Sequence, residues 1–176
     1  MLKRLSDKKL VTYKKYQGVL LTEEGRKTAL NIVRKHRLWE VFLVEKLNFN
    51  WSEVHEVAEQ LEHIKSKKLT NELDKFLDYP TKDPHGDPIP NTAGFIKYTT
   101  KALLSDLKVG DKGTFVGVKD SSSAFLKFLD KRNIALGSSI EILHIEDFDD
   151  SLHIGLDESN LTISMKSANN IYVTKQ

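Results

Sequence analysis

Within the nine residues from His55 to His63 the chain places His55, Glu59, Glu62 and His63, two imidazoles and two carboxylates. Imidazole and carboxylate donors without thiolate suit borderline to hard divalent ions such as Mn(II), Fe(II) or Zn(II). Whether these groups can act together depends on the faces they occupy. On a helix advancing about 100° per residue, with His55 at zero, Glu59 falls near 40°, Glu62 near −20° and His63 near 80°, one arc of roughly 100°. Val54, Val57, Ala58, Leu61 and Ile64 fall on the opposite arc, so the segment pairs an apolar face with a face of ligating groups. Ser52 stands where an N-cap belongs, Glu53 and Glu56 fill the first turn, and Trp51 precedes the cap as a hydrophobic staple.

The preceding segment adds His36 and Glu40, an i,i+4 pair on one helix face. Three histidines and three carboxylates then lie on two consecutive helices, which an antiparallel pairing would bring together. A solvated charged face, with ion pairs to Arg34, Lys35 and Lys65, accounts for the same residues. The pattern alone leaves both readings open. Catalytic versions fit less well. The run HEVAE begins like the zinc-protease motif HExxH but carries Glu59 where the second histidine is required. There is no G-x-S-x-G, no phosphate-binding G-x-x-x-x-G-K-[ST] and no G-x-G-x-x-G, and Ser121 to Ser123 read as turn residues. The sequence therefore does not point to an enzyme.

Composition sets limits on everything else. The chain has 176 residues, 39% hydrophobic and 30% charged, and no apolar run long enough to span a membrane. The start, MLKRLSDKKL, lacks the apolar core of a signal peptide. With no cysteine there is no disulfide, thiolate metal site or cysteine nucleophile, which agrees with a cytoplasmic protein without a membrane partner. Net charge is only +2, but residues 1–16 hold Lys3, Arg4, Lys8, Lys9, Lys14 and Lys15 against Asp7 alone. That basic end suits a polyanion.

The elements that must position these groups follow from periodicity. MLKRLSDKKL reads as a short amphipathic helix, and LVTYKKYQGVLLT as a hairpin turning at KKYQG. Thr22 caps a long helix with Glu23 and Glu24 in its first turn. A third helix spans 66–77, and 79–91, which holds all four prolines, is a rigid loop. Residues 95–104 read as a linker. From Ser105 short alternating strands, interrupted by the helical SAFLKFLDKRN, predict a small β-barrel. Three amphipathic helices over 23–77 are too few to close a core, and Trp39, Phe42, Phe49 and Trp51 cluster there, so a homodimer is expected.

Three motifs in order, RKHRLWEVFLVEKL, VHEVAEQLEH and PTKDPHGDPIP, resemble the diphtheria-toxin-repressor family of metal-dependent transcriptional repressors, and the resemblance covers nearly the whole chain. It implies an α+β architecture. Residues 1–22 would be the remnant of a winged helix-turn-helix, 23–94 a helical metal-binding and dimerisation domain, 95–104 a linker, and 105–176 an SH3-like, FeoA-type small β-barrel. It also implies ligands. His36, Glu40 and His55 match an ancillary site, and Glu59, Glu62 and His63 match a primary site. Glu59 stands where iron-type members carry cysteine, which favours Mn(II) as cofactor over softer ions, with Fe(II) as the second candidate. In iron-type members the SH3-like domain adds a Glu and a Gln. Ser121 and Ala124 occupy those places here, with Asp120 as the nearest substitute.

The resemblance further implies that two helices preceding MLKRLSDKKLV are absent from the chain as written. That run would be the tail of a recognition helix, and the hairpin a wing. Lys3, Arg4, Lys14 and Lys15 are then the expected DNA contacts, to phosphate rather than to bases. Two functions follow. The first is a repressor of metal-uptake genes that binds palindromic operator DNA when the missing helices are present. The second is a DNA-incompetent metal-binding protein that acts as a dimerisation partner or a buffer.

Overall fold

A computed structural model describes residues 2–14, 18–157 and 159–175, with the backbone alone at Lys14. Lys15 and the Lys14 side chain, two of the expected DNA contacts, lie outside the described residues. The chain forms two compact units. One comprises Met1–Phe49, Val54–Asp83 and Pro88–Lys97, and the other Asn50–Glu53, Pro84–Asp87 and Tyr98–Gln176.

The first unit opens with helix α1 (Leu2–Asp7) and a hairpin of β1 (Val11–Lys14) and β2 (Gly18–Leu21), paired antiparallel with Val11 opposite Leu21. Helix α2 (Glu23–Leu47) is 25 residues long. Its start is fixed from both sides. The Thr22 hydroxyl oxygen accepts from the Gly25 N–H at 3.0 Å and donates to the Lys9 carbonyl at 2.7 Å. Gly25 is required at that junction, because an added Cβ would lie 1.9 Å from the Leu10 carbonyl oxygen. Asn48, in the left-handed conformation, ends the helix with its N–H on the Leu43 carbonyl.

Helix α3 (Val54–Leu61) buries Val54 and Ala58 against Leu43 of α2, with Val57 and Leu61 half-buried beside them. Helix α4 (Lys67–Phe76), capped by Ser66, buries Leu73, which joins Leu38, Val41, Leu77 and Ile89 in a second small core. A buried ion pair of 2.6 Å between Arg34 and Asp74 links α2 to α4. The two ends of loop 79–91, up to Asp83 and from Pro88, are held in this unit by Ile89 N–H to Thr81 carbonyl at 2.9 Å, and by Arg37, which bonds Asp83 and the Pro88 carbonyl.

The second unit is a six-stranded antiparallel sheet in the order β3-β8-β4-β5-β6-β7. Its strands are β3 (Ala102–Leu103), β4 (Lys112–Val118), β5 (Ser139–Ile145), β6 (Leu152–Leu156), β7 (Ser159–Ile163) and β8 (Ile171–Lys175), with helices α5 (Ser123–Asp130) and α6 (Met165–Ala168). The small β domain expected from the alternating pattern is present. Its pairing runs from β3 to β7 as an open order rather than a closed ring. The sheet and α5 enclose one core built from Phe115, Leu126, Leu129, Ile140, Ile142, Leu152, Ile154, Ile171 and Val173.

Three local expectations differ. Ser52 does not cap α3; residues 51–53 form a turn closed by Glu53 N–H to the Asn50 carbonyl and by Asn50 N–H to the Glu53 carboxylate. Trp51 is not a staple on α3. It packs against the sheet core, donates its indole N–H to Asp130 at 2.8 Å and stacks on His85. Residues 102–103, read as linker, form β3 and pair with the last strand, Ala102 opposite Val173.

Gly86 shows how tightly the 84–87 turn lies on β4. Its φ is +84°, and an added Cβ would meet the Val116 carbonyl oxygen at 2.0 Å. The Val118 N–H donates to the neighbouring His85 carbonyl at 3.1 Å. Gly86→Ala therefore lowers stability by more than about 1 kcal/mol. Gly110→Ala, with a φ of +88° and no neighbour for its Cβ, serves as the comparison and loses less. Equal drops in denaturant midpoint for the two variants would contradict the close approach.

Candidate metal centre

The long α2 helix positions His36 and Glu40 one turn apart, and the start of α3 brings His55 to the same place. Glu40 is buried to 2% exposure. Its Oε1 lies 3.0 Å from His36 Nε2 and 3.3 Å from His55 Nδ1, and those two nitrogens are 3.1 Å apart. The imidazoles meet edge to face at 4.7 Å. One donor atom from each of the three residues thus falls within 4.8 Å of the other two. Mutual separations near 3 Å are those of donors sitting about 2.1 Å from one ion. The donor set fits a divalent cation.

Glu62 enters from behind. Its Oε2 lies 2.7 Å from His36 Nδ1, the ring nitrogen opposite the trio. A carboxylate on the far nitrogen of an imidazole fixes its tautomer and leaves the near nitrogen free to ligate. The expectation that all four groups of the second helix share one regular face needs correction here. Helix α3 stops at Leu61, and residues 62–63 form a turn. The Glu62 N–H still donates to the Ala58 carbonyl at 2.9 Å, and the Ile64 N–H closes the turn on Leu61 at 3.1 Å. The ammonium of Lys35 donates to the Glu62 and Ile64 carbonyls, holding that turn against α2.

Glu59 and His63 are exposed and lie outside the trio. Arg34 binds Asp74, and Lys35 binds carbonyls, rather than the carboxylates of the cluster. The contributions of Arg34, Lys35 and Asp74 carry no periodic signal, since their partners lie 27 to 40 residues away. Asp120 accepts from the Ser122 N–H at 2.8 Å in the turn before α5, and Ser122 caps that helix. Lys3 and Arg4 are exposed on α1.

Burial by itself disfavours a charged His36, but hydrogen bonds and negative charge from Glu40 and then Glu62 outweigh it and hold the imidazole above its ordinary pKa. A folded pKa above the unfolded one contributes stability that is fully present below about pH 6.5 and lost as pH rises through the raised value. Chelator-treated protein is therefore expected to lose stability over that rise, and His36→Ala to lose that part of the slope. Unfolding titrations at a series of pH values check this; an unchanged slope in the variant would contradict it.

Both parts of the chain resemble known proteins. Residues 22–91 match the family description "iron dependent repressor, metal binding and dimerisation domain", and 102–175 match the FeoA domain. The iron-dependent repressor IdeR of Mycobacterium tuberculosis (strain ATCC 25618 / H37Rv) is 46% identical over 70 residues, 40% of this chain and 30% of that protein. A probable metal transport system membrane protein of Chlamydia trachomatis is 43% identical over 86 residues, 49% of this chain and 19% of that protein. The chain thus spans less than a third of the length of either relative. The solved structure of a manganese-dependent transcriptional repressor in complex with manganese superposes with a TM-score of 0.88 at 33% identity, over 99% of this chain and 82% of that one.

The two matched regions define the class: a metal-binding and dimerisation domain of the iron-dependent repressor type followed by a FeoA domain. The chain belongs to the diphtheria-toxin-repressor family of metal-dependent transcriptional repressors, whose named members here are not enzymes.

Proposed function

We propose that the chain is the metal-sensing and dimerising part of a manganese-responsive, DNA-binding repressor acting in the cytoplasm, controlling metal uptake. The observation that carries this is the trio itself. His36 Nε2, Glu40 Oε1 and His55 Nδ1 converge with no sulfur among them. A nitrogen and oxygen donor set is open to Mn(II), and Fe(II) is the second candidate. In this reading His36, Glu40 and His55 hold the cation, and Glu62 orients His36. Glu59 and His63, exposed beside Glu62 in sequence, supply an adjoining subsite with it. Bound to native protein only, the cation would clamp the start of α3 to the middle of α2 and stabilise the chain.

Addition of Mn(II) should raise Tm, and Glu40→Gln together with His55→Ala should abolish most of the rise. An undiminished rise would remove the trio from the account. Glu59→Cys should move the ranking of metals in competition titrations away from Mn(II) toward Zn(II) or Cd(II). An unmoved ranking would make Glu59 a surface residue.

Dimerisation is assigned to one face of the first unit. Trp39, Phe42 and Phe76 form an aromatic row with centroids 5.7 and 6.2 Å apart, and Phe76 is 63% and Leu69 41% exposed. Phe49 and Trp51, expected in that cluster, are used elsewhere, in the α2–α3 core and against the sheet. Phe76→Glu should convert a homodimer to monomer in analytical ultracentrifugation; a monomeric parent chain, or a variant that stays dimeric, would refute this face.

A second reading has its own support. A related segment occurs in the Chlamydia trachomatis protein named as a probable metal transport system membrane protein, so about half of this chain is compatible with roles other than operator binding. Among the described residues of this chain no helix is long and apolar enough to cross a membrane. The alternative is a DNA-incompetent metal-binding partner or buffer. A gel shift at fixed salt separates the two. Mn(II)-dependent retention on a palindromic duplex supports the repressor, while weak, salt-sensitive retention indifferent to Mn(II) supports the alternative.

A further inference from the structure

The second unit carries a separate group of ligating side chains on the outer face of its sheet. Strands β5, β6 and β7 lie side by side, and the register sets His144 opposite His153 and His153 opposite Thr162. Alternation alone would send His144 inward, because Ile140 and Ile142 at the same parity are fully buried. A register shift between Ile142 and His144 reverses that parity. The irregularity turns His144 out beside His153, whose neighbours Leu152 and Ile154 are buried. Re-aiming a side chain is a recognised use of a bulge.

Glu146 completes the group. Its Oε1 lies 3.0 Å from His153 Nε2 and 3.8 Å from His144 Nε2, and the two rings are 5.8 Å apart. On the other side of His153, Nδ1 lies 2.9 Å from the Thr162 hydroxyl. That contact orients the ring and directs Nε2 toward Glu146, as an outer partner does for a metal-bound imidazole. Asp147, Asp149 and Asp150, all exposed, follow in the same hairpin and draw cations to it. Isolated His–Glu ion pairs would need neither the reversed parity nor one carboxylate oxygen shared by two rings.

We propose that His144, His153 and Glu146 form a surface site for a borderline divalent cation, with Zn(II) favoured by two imidazoles and one carboxylate, and water completing the shell. Affinity of such a donor set rises from Mn(II) toward the later first-row ions, which favours Zn(II) here. The site offers the protein a second, independent response to a metal. No residue of the first site takes part in it.

The test uses the whole chain, stripped with chelator and then titrated with Zn(II) alone. Bound metal is counted by equilibrium dialysis while imidazole signals are followed by NMR. Zn(II) should shift the His144 and His153 ring resonances, in the parent and in His36→Ala alike. His144→Ala with His153→Ala should bind one Zn(II) fewer per chain, and Thr162→Val should weaken that equivalent about tenfold. Circular dichroism confirms that these exposed substitutions leave the fold intact. Ring signals that do not move with Zn(II), or a double variant that binds as many ions as the parent, would overturn the proposal.

Discussion

Three electron-rich atoms face one point in the helical unit, and most of that unit's arrangement depends on satisfying them. Glu40 Oε1 is an acceptor only. With His36 Nδ1 turned to the Glu62 carboxylate at 2.7 Å, a neutral His36 presents a lone pair at Nε2 to Glu40, 3.0 Å away. His55 brings at most one proton to the same place. Positive charge at this point, from an added proton or a metal ion, suits these groups. The raised pKa of His36 is the protonated solution to the same constraint. Glu40, at the centre of the group, is almost wholly buried.

The scaffold around this point is rigid for identifiable reasons. The Thr22 cap, with Gly25 against Leu10, sets where α2 begins, and the Asn48 cap sets where it ends. His36 and Glu40 are therefore held one turn apart on a fixed rod. The short core of Leu43, Val54 and Ala58 seats the first turn of α3 on that rod, which brings His55 in. Lys35 fixes the carbonyls after α3 and so the approach of Glu62. Arg34 with Asp74 secures α4 to the same helix, although the Arg34 Nε has no hydrogen-bond partner. A pair so deeply buried favours a defined arrangement more than it adds stability.

Much of this is legible from sequence wherever a periodic or capping signal exists. Thr22 and the apolar stripe of α3 read directly, as do the i,i+4 spacing of His36 and Glu40 and the pairing of the two helices that carry these groups. What cannot be read is set by non-local contacts. Glu62 reaches the back of His36 because a helix ends at Leu61, and an angular projection that continues the helix cannot show that. Trp51 looks like a local staple but is claimed by Asp130, 79 residues away. Strand β3 is two residues long, too short to alternate, and exists only because β8 offers it an edge. The outward turn of His144 depends on one irregularity in a strand whose sequence predicts the opposite face.

The central claim is that the convergence of His36, Glu40 and His55 is a cation site filled through two imidazole nitrogens. Pulsed electron paramagnetic resonance of the chain loaded with one equivalent of Mn(II) reads those nitrogens directly. The account predicts nitrogen hyperfine couplings from two imidazoles, one lost in His36→Ala and the other in His55→Ala. Couplings absent from the parent chain, or retained in full by both variants, would contradict it.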